Sequence, residues 1–88
     1  MDKVEVEVLS LASNAIVVQT PWRNFPSMLV QGDSLYNMLV TAKAVLDMSR
    51  SINNADLLDE AEDLVEKLQM YVSTYEAALQ KAGRPLPW

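Results

Sequence analysis

Six carboxylates within residues 56–66 are the densest set of chemically capable side chains in this sequence. No basic residue interrupts them, and they are Asp56, Asp59, Glu60, Glu62, Asp63 and Glu66. On a helix, acids spaced three or four residues apart lie on one side. Such a side can attract a basic protein surface or a divalent cation. It can equally be a solvated face, since acids in the first turns of a helix are favoured by its dipole.

Metal chemistry is the weaker interpretation of this run. A magnesium-dependent hydrolase built on Glu60 and Asp63 needs a second set of carboxylates, and the preceding helix offers only Asp47. The chain has no cysteine and no histidine, which excludes Cys/His zinc sites, thiol nucleophiles and Ser–His triads. We therefore predict a protein that is not an enzyme and holds no cofactor and no metal.

A second candidate contact lies in the loop between Pro21 and Pro26. It carries Trp22, Arg23 and Phe25, and these residue types are enriched at interface hot spots. The alternative is that the aromatic rings belong to the core. For Phe25 burial under the sheet edge is the favoured interpretation, whereas for Trp22 and Arg23 partner contact and core packing both stay open.

Length and charge limit the remaining function classes. With 88 residues and a net charge of −5, the chain is predicted to be one small acidic domain, residues 1–88, that prefers a basic protein partner. Nucleic-acid binding is disfavoured because it needs a basic face. No apolar run exceeds four residues, so we expect no membrane segment and a cytoplasmic location.

Strands must position the aromatic loop. Val4, Val6 and Val8 alternate with Glu5 and Glu7, which is typical of a half-buried strand. Residues 12–14 suit a turn, and the β-branched stretch 15–20 forms a second strand ended by Pro21. A short apolar segment at 27–31 is the third. The strands are thus expected within residues 3–31.

Helices must position the carboxylates. The apolar period changes after Gly32, which is expected to allow an unusual backbone angle, and Asp33 or Ser34 is the expected N-cap. Helix one is predicted at 34–49 and helix two at 54–82, capped by Asn53 or Asn54, with an extended tail at 83–88. The fold class is α+β: a three-stranded antiparallel sheet packed on a two-helix hairpin, in the order βββαα.

Helix two is much longer than helix one, and its apolar stripe continues to residue 79. Its distal half must therefore bury against something. Either the tail folds back and Trp88 docks over it, or the stripe contacts a partner or a second copy of the chain. The residues available for such a homodimer are Leu68, Val72, Tyr75 and Leu79.

The segment that joins the strands to helix one resembles a known pattern. Arg23, Phe25, Pro26 and the run Gln31–Leu35 match the form Arg-x-Phe-Pro-x-x-x-x-Gln-Gly-Asp-Ser-Leu. This form is seen in a family of small, uncharacterised bacterial proteins that are often encoded near polymorphic toxins. The resemblance covers about residues 4–46. It implies an immunity protein that neutralises a toxin, and it carries no catalytic residue over to this chain.

Three functions follow from these observations. The first is an immunity protein that occludes a cognate toxin with a basic surface, using the six carboxylates, with Trp22 and Arg23 as an anchor. The second is a self-associating structural or adaptor subunit that uses helix two. The third, the metal-dependent hydrolase, is the weakest because its second carboxylate set is missing.

Overall fold

The computed structural model describes residues 3–11 and 15–88. Three strands, β1 (Glu7–Ser10), β2 (Ala15–Gln19) and β3 (Ser27–Val30), precede two helices, α1 (Gly32–Ser49) and α2 (Ala55–Ala82). The strands form one antiparallel sheet in the order β1-β2-β3. The predicted α+β class and its βββαα order are confirmed. The turn predicted at residues 12–14 lies outside the described residues.

The first strand is shorter than its alternating pattern predicts. Glu7 pairs with Gln19, which is the last residue of β2 and lies two positions before Pro21. Residues 3–6 therefore have no partner residue in β2 and extend past the ladder. The register shifts between Val8 and Ser10, which leaves Leu9 as a bulge. The expected half-buried valine face was wrong: Val4, Val6 and Val8 are all exposed.

The first helix begins before the predicted N-cap residues. It starts at Gly32, so Asp33 and Ser34 stand in its first turn, where the Asp33 carboxylate accepts a hydrogen bond of 2.8 Å from the Ser34 amide. A carboxylate there is favoured by the helix dipole. Gly32 does not use the backbone freedom that glycine allows, because among the described residues the positive φ belongs to Gly83.

The second helix is capped at both ends as its sequence predicts. The side chain of Asn54 accepts a hydrogen bond from the Leu57 amide at 3.1 Å. At the other end Gly83 is left-handed, with φ 68°. Its amide donates to the Gln80 carbonyl at 3.2 Å, and the Arg84 amide donates to the Leu79 carbonyl at 2.9 Å. These two hydrogen bonds form a Schellman motif, which ends the helix and reverses the direction of the chain.

The two helices pack on each other through small and branched side chains. In α1 the buried residues include Leu39, Ala42 and Leu46, and in α2 they are Ala61 and Val72. Alanines in a contact let two helix axes approach closely. Fully burying one leucine side chain stabilises the fold by roughly 1.5–3 kcal/mol.

The chain divides into two compact units, residues 1–31 with the sheet and residues 32–88 with the helices. In the sheet unit Val18, on the central strand, is the most deeply buried apolar residue. Across residues 3–11 and 15–88, no helix combines the length and apolar character needed to cross a membrane.

Candidate functional site

The six carboxylates form one exposed surface of α2. All six side chains are exposed, and at 100° per residue they spread over the side of the helix opposite the buried Ala61 and Val72. We call this surface the acidic face; its members are Asp56, Asp59, Glu60, Glu62, Asp63 and Glu66. The helix spaces these residues over about 15 Å along its axis.

Only one member of the acidic face has an ion-pair partner within the described part of the chain. Lys67 Nζ lies 2.7 Å from Asp63 Oδ2, one helical turn away. The hydrogen bond to Asp63 and the charge of that carboxylate raise the pKa of Lys67 above its ordinary value, and Glu60 adds to the effect. Lys67 thus neutralises one carboxylate of the six.

The structure does not gather these acids into a metal-ligating cluster. Within residues 3–11 and 15–88, no three His, Cys, Asp or Glu side chains are grouped so that they could hold an ion. Asp47, the acid that the sequence offered as a further member of such a cluster, instead accepts a hydrogen bond of 2.8 Å from Arg50. The carboxylates are thus separate exposed charges on the surface of α2.

The aromatic loop belongs to the sheet unit. Gln19 Nε2 donates to the Thr20 carbonyl at 3.0 Å and to the Arg23 carbonyl at 2.8 Å, and so ties the loop back to the end of β2. Trp22 is 68% exposed and Phe25 is 81% exposed. The expectation that Phe25 is core was wrong. The two flanking prolines and the Gln19 bonds fix the loop backbone, and Phe25 projects from it into solvent.

An aromatic stack that spacing alone does not reveal forms at one end of the helix pair. The Trp88 ring stacks on Tyr36 of α1, with centroids 4.3 Å apart, and on Tyr75 of α2, with centroids 5.7 Å apart. Trp88 thus docks over the distal half of α2, which is one of the alternatives that the sequence left open. The sequence shows these two tyrosines and the tryptophan, but their spacing does not indicate that the three rings stack on one another.

The residues predicted for a homodimer have contacts within this chain. Val72 is only 1% exposed, and Tyr75 carries the Trp88 ring on one side. Leu68 and Leu79 are half-buried. The tail therefore covers part of the stripe that a second copy would have to contact.

A groove between α1 and α2 is the second feature that sequence reasoning missed. It has a volume of about 700 Å³ and is open to solvent. Its walls are mainly apolar, with Ala42 at its buried floor. The residues that line its sides include Asn37, Met38, Thr41, Val45, Leu64 and Leu68. Met38, Val45 and Leu64 are exposed. The indication of this groove in the sequence was that the apolar stripe is wider than the contact between the two helices requires.

A family model described as a family of unknown function, DUF6959, matches residues 1–88. No curated protein and no solved structure matches the chain.

Proposed function

This chain belongs to DUF6959, a family of unknown function, and within that family we propose a non-enzymatic, protein-binding role for it. The chain is an immunity protein that binds a bacterial toxin and covers the toxin's active site. The acidic face of α2 makes the electrostatic part of the contact. Trp22 and Arg23 act as an additional anchor.

The observation that supports this role most directly is the state of the acidic face. Five of its six carboxylates have no ion-pair partner in the described part of the chain, whereas Asp63 pairs with Lys67. Like charges one turn apart repel one another and destabilise a helix by a few tenths of a kcal/mol per pair. A basic partner would relieve that repulsion, so the surface is more stable in a complex than alone.

The chemistry of the expected partner is complementary. A toxin that acts on nucleic acid must hold phosphates with lysine and arginine in its own cleft. A helical surface rich in carboxylates complements such a cleft, speeds the encounter and disfavours acidic competitors. The resemblance of residues 23–35 to proteins encoded near polymorphic toxins points to the same kind of partner.

The exposed loop suits the role of anchor. Trp22 presents a large apolar surface at low entropic cost, because the Gln19 hydrogen bonds already fix the loop. Tryptophan and arginine are the residue types that dominate binding energy at interfaces. Charge on α2 would then set the rate and specificity of association, and the loop would add to affinity.

The test is capture of the partner from native cells with tagged protein and two charge-reversed variants. In the first, Asp59→Lys and Glu66→Lys alter the acidic face but leave the Asp63–Lys67 ion pair in place. In the second, Glu5→Lys and Glu7→Lys make the same charge change on exposed residues of the sheet unit. Circular dichroism establishes that both variants are folded.

We expect the unmodified chain and the sheet variant to retain one stoichiometric partner with a basic domain. The acidic-face variant should lose it, and added salt should weaken the complex. Expressed alone, the partner should arrest growth of a host cell, and co-expression of the unmodified chain should restore growth. Equal protection by the two variants would remove the acidic face from the mechanism, and a partner that is harmless alone would refute the immunity role.

A further inference from the structure

We propose that the groove between α1 and α2 is a docking site for an amphipathic helix of a partner protein. This helix carries an apolar stripe and has lysine or arginine along the edge that lies next to α2. The groove borders the acidic face at Glu60 but is lined by other side chains, and the inference holds whether or not the partner is a toxin.

The shape of the groove fits a helix. Its walls come from two packed helices, and its exposed side chains include Met38 and Val45 on α1 and Leu64 on α2. On α2 the same flank continues at steps of seven residues, to Leu57 and Tyr71, both exposed. This flank is about 21 Å long, which matches a docked helix of about 14 residues with anchors at i, i+3, i+4 and i+7.

The charges beside the groove are unequal on its two sides. On α2, Glu60 lies one turn before Leu64 and is exposed, while the charge of Lys67 is neutralised by Asp63. On α1 the polar residues of the lining are Asn37 and Thr41, which carry no charge. A docked helix would thus meet net negative charge along α2 alone, and basic side chains on that edge complement it.

A second copy of this chain is a poor occupant. Each copy carries a net charge of −5, and a two-fold contact would bring identical surfaces together. Where the two-fold axis runs across the groove, the Glu60 edges of both copies lie next to each other, which like-charge repulsion opposes. A basic amphipathic helix gains from the same charges. The flexible thioether of Met38 allows the groove to adapt to the shape of its apolar side chains.

The test uses two synthetic helical peptides of about 15 residues. Both have leucine along one stripe; one has lysine along a single edge, and the other has glutamate at the same positions. Binding to the full chain is measured by fluorescence anisotropy. The five methionines of the chain, labelled at their methyl groups, report the location of the peptide by NMR, because Met38 lies in the groove and Met70 lies on the acidic side of α2.

We expect the lysine peptide to bind at least tenfold more tightly than the glutamate peptide and to shift the Met38 signal but not that of Met70. Leu64→Gln should weaken binding by about tenfold, because it removes an apolar contact. Met70→Gln, a matched change at an exposed position of the same helix, should leave binding unchanged.

Several results would overturn the inference. Absence of binding by the lysine peptide, or equal effects of Leu64→Gln and Met70→Gln, would do so. A peptide that merely coats the acidic face would be weakened by Asp59→Lys with Glu66→Lys and not by Leu64→Gln, and this too would refute groove docking. A concentration-dependent dimer, seen by sedimentation and lost in Leu64→Gln, would assign the groove to a second copy instead.

Discussion

Gly32, the first residue of α1, lies directly against the phenol ring of Tyr75 on α2. A Cβ atom at position 32 would overlap the ring carbons and the hydroxyl of Tyr75. The glycine is therefore needed for space between the helices and not for its backbone angle. The other side of this contact is closed by Trp88, which stacks on Tyr75 and on Tyr36. Together these residues fix the start of α1 against the distal half of α2.

Gly32→Ala is expected to destabilise the helix pair. On helix propensity alone, replacing glycine by alanine stabilises a helix by up to about 1 kcal/mol. Here the added methyl must displace a ring, and such overpacking costs about 1–3 kcal/mol. Urea denaturation measures the net change. In the double variant with Tyr75→Ala the cost of the alanine should vanish, since the clash is gone; a fully additive pair would contradict the packing argument.

Gly83→Ala provides the contrasting case. Gly83 has a φ of 68° and open space around its Cα, so a methyl there meets no neighbour but forces a left-handed backbone. We expect a loss of about 1 kcal/mol from this strain, measured by thermal unfolding. Gly83→Asn should lose less, because asparagine tolerates this conformation. No coupling with Tyr75→Ala is expected, and its presence would show that the two glycines act through a shared contact.

Trp88→Ala should loosen the distal end of α2. The ring is stacked on two tyrosines and is 39% exposed, so we expect a loss of about 1 kcal/mol of stability and of near-ultraviolet circular dichroism. Trp22→Ala is the control, because Trp22 is largely exposed. With only two tryptophans in the chain, each variant leaves one tryptophan, whose emission can be excited selectively at wavelengths that tyrosine does not absorb. Acrylamide should quench Trp22 more strongly than Trp88, and equal quenching would mean that Trp88 is not docked.

The order of the elements could be predicted because it depends on local pattern. The alternating and β-branched stretches near Val8 and Val17, and the 3.6-residue period after Gly32, each indicate one kind of structure. Strand length could not be predicted in this way. How far β1 pairs depends on where β2 ends, and the bulge at Leu9 depends on the register between the two strands. Both are properties of the pair and not of either segment.

The candidate site was predictable to different degrees for similar reasons. The acidic face follows from helical spacing, as does the ion pair of Asp63 and Lys67. The exposure of Phe25 does not, because it depends on the Gln19 side chain that holds the loop. The groove also escaped prediction, since its walls come from residues of two helices whose relative rotation is set by packing.

Asn54→Ala should destabilise α2 at its first turn. The side chain of Asn54 accepts a hydrogen bond from the Leu57 amide, and loss of such a cap costs about 1 kcal/mol. Asn54→Ser should restore most of that stability because serine caps nearly as well. Hydrogen exchange at the Leu57 amide reports the change at the site itself: it should be faster in the alanine variant only. Unchanged exchange in both variants would show that the cap bond is not formed.

Asp63→Asn should lower the pKa of Lys67 toward its ordinary value of 10.5. The hydrogen bond to Asp63 and its charge are the largest causes of the raised pKa, and Glu60 contributes less. Because the pKa of Lys67 is raised on folding, the ion pair stabilises the protein fully below the ordinary value, and this stabilisation is lost as the pH rises through the raised one. NMR titration of the Lys67 side chain between about pH 9 and about pH 12 measures the change. Glu60→Gln should produce a smaller decrease than Asp63→Asn, and the reverse order would contradict the observed pairing.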